Sequence, residues 1–163
     1  MDLMRAALLI SLLMLPSLPA QTVKPGDRWA PLAFLIGEWT GEGGGGPGEG
    51  SGGFSFLPDQ NGTVLVRKNH ADYPATKDRP AFSHTDLMFV YREDGKFRAI
   101  YFDSEDHVIH YDVEVEGASI RFLSKDYRLT YSKTGVDTLG IKFELRDQAG
   151  QFKTYIEASA RKL

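Results

Sequence analysis

The sequence predicts an all-β protein, an antiparallel up-and-down β-barrel of about ten strands preceded by a short N-terminal helical turn. Three observations predict it. Short stretches rich in β-branched and aromatic residues recur from Gly37 to the end of the chain, and no segment sustains a helical period. Turn signals separate them: Asn61-Gly62, Asp94-Gly95, Glu116-Gly117, Thr134-Gly135 and Ala149-Gly150. Asn-Gly and Asp-Gly supply the positive backbone angles that two-residue hairpins need, so consecutive strands should pair antiparallel. The spacing leaves no room for crossover helices, and closing the meander into a barrel removes its exposed edges. A two-sheet sandwich is the alternative arrangement of the same strands.

Length and charge bound the function. The 163 residues with a net charge of −3 fit one globular domain with a buried core. Lysines and arginines are scattered, without the basic patch or basic amphipathic helix of a nucleic-acid binder. At the N-terminus, Arg5 precedes the apolar run Ala6 to Leu15, followed by Pro16, Ser17, Leu18, Pro19 and Ala20. That is the plan of a secretory signal peptide over residues 1–20, cleaved after Ala20, although Leu18 stands where a small residue is usual. The run is about half the ~20 apolar residues of a membrane-spanning helix, so no span is expected after cleavage. The expectation is a periplasmic or secreted protein. With no cysteine in the chain, it would carry neither a disulfide nor a lipoprotein anchor.

Residues 21–31 are polar and contain Pro and Gly, which reads as a flexible arm ahead of a single barrel domain over residues 32–163. Asp27 is placed to cap a short helical turn running from Trp29 to Leu35, which would close one end of the barrel. The strands follow as Gly37 to Gly45, Gly53 to Leu57, Thr63 to Ala71, Thr85 to Arg92, Lys96 to Asp103, His107 to Glu116, Ser119 to Ser124, Arg128 to Lys133, Thr138 to Arg146 and Phe152 to Arg161. The long connection from Asp72 to Ser83 holds Pro74 and Pro80 around Lys77, Asp78 and Arg79. It reads either as a defined flap over a barrel mouth or as a plain surface loop.

On the first strand, alternation places Trp39, Gly41, Gly43 and Gly45 on one face. One large plug would be followed by a bare wall where a ligand approaches the backbone; the alternative is a flexible hairpin loop. The glycine run is not a phosphate loop, because it lacks the Gly-Lys-Ser/Thr ending that leads into a helix. Gly50-Ser51-Gly52 is not a nucleophile elbow either, since the second glycine should lie two residues after the serine.

The histidines are His70, His84, His107 and His110. A catalytic zinc normally takes three protein ligands, and His107 and His110 face opposite ways along a strand, so spacing reveals no metal site. His107 is in phase with Ile109, Tyr111, Val113 and Val115 and is expected inward; His110 is in phase with Asp112 and Glu114 and is expected outward. An inward His107 either bonds to a carboxylate or carbonyl or contacts a ligand. His84 and Asp86 share a face, as do Tyr101 and Asp103, and the Asp94-Gly95 hairpin would bring the two pairs together at one end of the barrel. They form either a polar ligand constellation or a network fixing the rim. Arg67, Arg128, Tyr131 and Tyr155 are polar residues within apolar strands. An arginine with tyrosine hydroxyls suits an acid or polar head group in an apolar pocket, whereas snorkelling arginines would lie outside. Glu105 and Asp106 read as a solvated turn.

Two sets of residues carry a resemblance. Phe34-Leu35-Ile36-Gly37-Glu38-Trp39 with Gly41 and Gly43 resembles the opening of nitrobindin-type and related calycin-like barrels. Tyr73-Pro74, Arg79-Pro80-Ala81, His84-Thr85-Asp86-Leu87-Met88, Arg98-Ala99-Ile100-Tyr101-Phe102-Asp103, His107-Val108-Ile109 and Phe152-Lys153-Thr154-Tyr155 resemble a group of uncharacterised bacterial proteins. The match covers nearly all of Leu32 to Arg161 and implies a calycin- or lipocalin-like barrel. In nitrobindins a histidine of the last strand, a few residues before a terminal arginine, holds ferric haem and supports peroxynitrite isomerisation. Here Phe152 to Arg161 contains no histidine, and Tyr155 falls near that slot. Tyrosine also ligates haem iron.

The leading expectation is an exported, non-enzymatic barrel that binds a small hydrophobic or amphipathic molecule and has no resident cofactor. Trp39 would close its base, Gly41 and Gly43 would bare one wall, and Arg67, Tyr73, His84, Asp86, Tyr101, Asp103, His107, Arg128, Tyr131 and Tyr155 are the candidate contacts. The alternatives are a haem protein or peroxynitrite isomerase with Tyr155 or His107 near the iron, and an envelope interaction module with a filled core.

Overall fold

The computed structural model describes residues 28–42 and 50–163. Ten strands follow one another: β1 (Gly37–Glu42), β2 (Ser51–Asp59), β3 (Val64–Tyr73), β4 (Phe82–Glu93), β5 (Lys96–Asp103), β6 (Val108–Glu116), β7 (Ser119–Leu123), β8 (Tyr127–Lys133), β9 (Thr138–Arg146) and β10 (Phe152–Lys162). Each pairs antiparallel with its neighbours, and β1 pairs with β10, so the sheet closes on itself and no strand is left as an edge. The sandwich arrangement is not the one adopted. Among the described residues no helix is long and apolar enough to cross a membrane.

Local turn chemistry sets the hairpins. Asp94 and Gly95 take φ of 49° and 77° between the paired residues Glu93 and Lys96, a two-residue turn whose twist matches the strands. Between β2 and β3 the connection is longer than a two-residue turn: a short 3-10 turn over Gln60–Gly62, with Asp59 accepting from the Gln60 N–H at 2.6 Å.

One end is sealed. A 3-10 turn over Ala30–Leu35, with Pro31 in its first positions, lays Leu32 and Leu35 into the barrel, both fully buried. Its N-cap is Trp29, which makes no side-chain cap; Asp27, the expected cap, lies outside the described residues. Trp29, expected to open the turn that closes this end, is fully buried. Its indole donates to the Gly62 carbonyl at 2.9 Å and stacks on Phe97. Trp39 donates to the Leu35 carbonyl at 2.8 Å and stacks on Phe54. Each tryptophan therefore buries its ring and satisfies its only donor. Above this plug Phe56, Leu65, Val90, Ile120, Tyr131 and Leu139 fill the core without solvent exposure.

Backbone crowding falls on β2, not on β1. A Cβ on Gly53 would come within 2.4 Å of the Trp39 carbonyl oxygen, and one on Gly52 within 2.0 Å of the His70 carbonyl oxygen. At Gly41 the nearest atom would be 3.5 Å away, an ordinary contact. Gly43 and Gly45 lie outside the described residues.

Candidate functional site

The other end of the barrel carries the chemistry. Strand alternation and register set Arg67 and Asn69 of β3, His84 and Asp86 of β4, and Tyr101 and Asp103 of β5 on the inward face of three adjacent strands. Asn69 lies opposite Asp86, Asp86 opposite Asp103, and Tyr101 opposite the buried Met88. The two pairs expected to meet across the Asp94-Gly95 hairpin do meet.

They form one connected chain of polar contacts. Arg67 Nη1 donates to Asp86 Oδ1, and Asn69 donates to Asp86 Oδ2 at 2.9 Å. His84 Nε2 stands 3.4 Å from Asp86 Oδ2 and 3.3 Å from the Tyr101 hydroxyl. Tyr101 in turn donates to Asp103 Oδ2 at 3.3 Å. Asp103 Oδ2 also lies 2.9 Å from His107 Nδ1, while its Oδ1 accepts the backbone N–H groups of Glu105 and His107. Glu105 Oε1 reaches back to His84 Nδ1 at 3.1 Å. Side-chain exposure rises along the chain, from 3% at Asp86 through 21% at His84 to 53% at Glu105.

Electrostatics follow the same gradient. Burial works against the charge on Arg67, but Tyr131, Asp86 and Tyr101 around it outweigh that and hold its pKa above the ordinary value. Burial raises the Tyr101 and Tyr111 hydroxyls far out of the physiological range, so both are neutral donors. His84 is raised, first by its hydrogen bond to Asp86 and further by Glu105. Asp103 is held below the usual carboxylate range: partial burial opposes its charge, but the N–H groups of His107 and Glu105 and the His107 ring prevail. The guanidinium of Arg67 also lies over the Phe54 ring, 5.5 Å from its centroid. Tyr131 is buried in the charge field of Arg67, and its hydroxyl and Arg67 Nε make no well-formed hydrogen bond among the described residues.

Of four other expected contacts, one faces out of the barrel and three lie at the mouth end. Arg128 points out of the barrel: its neighbours Leu129 and Tyr131 are buried inward, and it faces Glu144 across β8 and β9, donating to it at 2.7 Å. Tyr131, three residues on, is necessarily in the opposite phase. His107 precedes β6 and is not part of it, so strand phase does not apply; it sits in the β5–β6 turn with half its side chain in solvent. Tyr155 occupies an irregularity in the pairing of β10 with β9, 49% exposed, its ring against Phe143. Tyr73 ends β3 at the open mouth, stacked on Phe82 with ring centroids 4.5 Å apart. Arg79 lies over Phe82, and Thr76 bonds to the Arg79 carbonyl, so the 74–81 connection is a pinned segment at the mouth. His110 is exposed, as its phase implied.

Two contributors escaped the sequence reading. Asn69 was in phase with Arg67, a signal that was available. Glu105 carried none, because its reach to His84 depends on how the turn folds around Asp103. The lumen beyond the polar cluster is apolar: Ile109, paired beside Tyr101, and Tyr127, Ile141 and Phe143 farther round the barrel pack against the core but stay partly exposed. Two hollows lie on the outside of the barrel. One of about 540 Å³ on the outer wall includes Arg98, His110 and Asp112, and one of about 750 Å³ lies between Phe34 and Val115 beside the 3-10 turn.

Haem, which the nitrobindin resemblance brings with it, requires an axial donor presented to the lumen. Tyr155 and His107 are both half exposed, and the His107 Nδ1 is engaged by Asp103. His107 lies in the β5–β6 turn, whereas Tyr155 packs on Phe143 of the lumen wall.

A closed ten-stranded antiparallel β-barrel, plugged by tryptophans at one end and polar at the other, is the class of fold this chain adopts. Among solved structures, the chain is similar to Rv2717c from M. tuberculosis, with a TM-score of 0.56 and 14% identity over 83% of this chain and 96% of that one. At that identity the likeness concerns the fold. No protein family matches the sequence, and no curated protein does.

Proposed function

We propose that this barrel is exported by its signal peptide and binds a small amphipathic molecule in the open half of its lumen. The observation that carries the reading is the asymmetry of the interior. The plugged end is fully buried, whereas the inward-facing Tyr101, Ile109, Tyr127, Ile141 and Phe143 keep partial exposure around a polar cluster. An apolar wall facing a few convergent polar groups is the usual make-up of a small-molecule site. The apolar part of the ligand would lie along Ile109, Ile141 and Phe143, and its polar end would meet Tyr101 and His84. Arg67 is already committed to Asp86, so the head group need not be anionic.

Native mass spectrometry of protein purified from its own host tests this, together with melting temperatures in the presence of fatty acids, fatty alcohols and isoprenoids. A retained amphiphile, or a melting temperature that rises with amphiphile concentration and no longer does so in Phe143→Arg, supports the reading. No adduct and no shift with any of the three classes would end it.

A further inference from the structure

We propose that His84, Asp103 and Glu105 bind a divalent transition-metal ion of the zinc class at the barrel mouth. This goes beyond the amphiphile reading and does not depend on it.

The three donors come from separate segments, the start of β4, the end of β5 and the β5–β6 turn, and their ligand atoms all lie within 4.8 Å of one another. One imidazole with two carboxylates suits a borderline cation such as Zn²⁺ better than Ca²⁺ or Mg²⁺, which prefer oxygen alone. The stronger argument is the shell behind them. A metal-binding histidine generally has its other ring nitrogen fixed by a carboxylate, which selects the tautomer and aims the lone pair. In His84 the Nε2 faces Asp86, and Asp86 is itself held by Arg67 and Asn69 and almost wholly buried. That leaves Nδ1 turned toward Glu105.

Asp103 is held just as firmly, by Tyr101, His107 and two backbone N–H groups. Glu105, half exposed, is the ligand free to close on the ion. Charge points the same way. Among the described residues, the close ion-pair partners of Asp103 and Glu105 are histidines alone, so neither carboxylate is tied to a lysine or arginine.

The test is isothermal titration of Zn²⁺ into untagged, chelator-stripped full-length protein, with Ca²⁺ and Mg²⁺ in parallel. The expected result is one Zn²⁺ per chain and no comparable binding of Ca²⁺ or Mg²⁺. Glu105→Gln, at an exposed position that leaves the fold intact, weakens binding about tenfold or more, as does Asp86→Asn acting through the His84 ring. His110→Ala, on the outer wall, changes nothing. Circular dichroism of each variant establishes that it is folded. Absence of Zn²⁺ binding by the wild-type chain, or binding that is unchanged in folded Glu105→Gln and His84→Ala, overturns the proposal.

Discussion

Arg67 of β3 and Asp86 of β4 form an ion pair inside the barrel, with side chains only 9% and 3% exposed. Taking two charges out of water is costly, and the geometry offsets it only while both partners are present. Asp86 is also the hinge of the site, because the carboxylate that receives Arg67 and Asn69 is the one that faces His84.

Truncating one partner should therefore cost far more than replacing both. Asp86→Ala is expected to lose about 3–5 kcal/mol of stability, and the double variant Arg67→Met/Asp86→Leu much less. Urea denaturation of the two singles and the double reads this directly. A loss within about 1 kcal/mol for Asp86→Ala would be the behaviour of a surface pair instead.

His84 makes stability pH-dependent. Its folded-state pKa is raised above the ordinary 6.5, chiefly by Asp86. Its contribution is thus fully present below pH 6.5 and lost as pH rises through the higher folded-state value. In the presence of a chelator, the His84 ring signals in NMR should titrate above 6.5 and move down in Asp86→Asn. The same loss of stability with rising pH should be smaller in His84→Ala.

On the outer wall the sign reverses. The hydrogen bond from Arg128 holds the Glu144 carboxyl below its ordinary 4.5, against partial burial. That stability is present above pH 4.5 and lost as pH falls through the folded-state value. Arg128→Ala should cost about 1.5–3 kcal/mol, the worth of a hydrogen bond to a charged group. It should leave amphiphile and Zn²⁺ binding unchanged, since Arg128 faces away from the lumen. Denaturation and binding titrations of this one variant separate the two effects.

The glycines of the first hairpin differ in tolerance. Gly53→Ala drives a methyl group against the Trp39 backbone and should cost about 1–3 kcal/mol or more, whereas Gly41→Ala should stay within about 0.5 kcal/mol. Thermal melts of the two variants side by side decide it.

Much of the fold is legible along the chain because its causes are local. The alternation of Leu65, Arg67 and Asn69, or of Val90, Met88 and Asp86, is a property of each strand alone. The positive φ at Asp94 and Gly95 follows from the residue types in that turn. Alternation also carries a signal that the expectation of both Arg128 and Tyr131 as contacts overlooked: they lie an odd number of positions apart and cannot line the same wall.

Strand ends were the weak point. His107 sits one residue ahead of β6, and that single step moves it from the expected interior to a turn held by Asp103.

By itself, then, the sequence determined the succession of ten strands, the Asp94-Gly95 turn, the inward faces of β3, β4 and β5, and the meeting of His84 and Asp86 with Tyr101 and Asp103. Tertiary structure alone decided which glycine touches backbone, that the Trp29 indole bonds to Gly62, and that Glu105 turns back onto His84. The physical reason is range. Phase and turn chemistry act within a few residues, whereas Trp29 on Gly62, Gly53 against Trp39 and Glu105 on His84 depend on closure and register between segments distant in sequence.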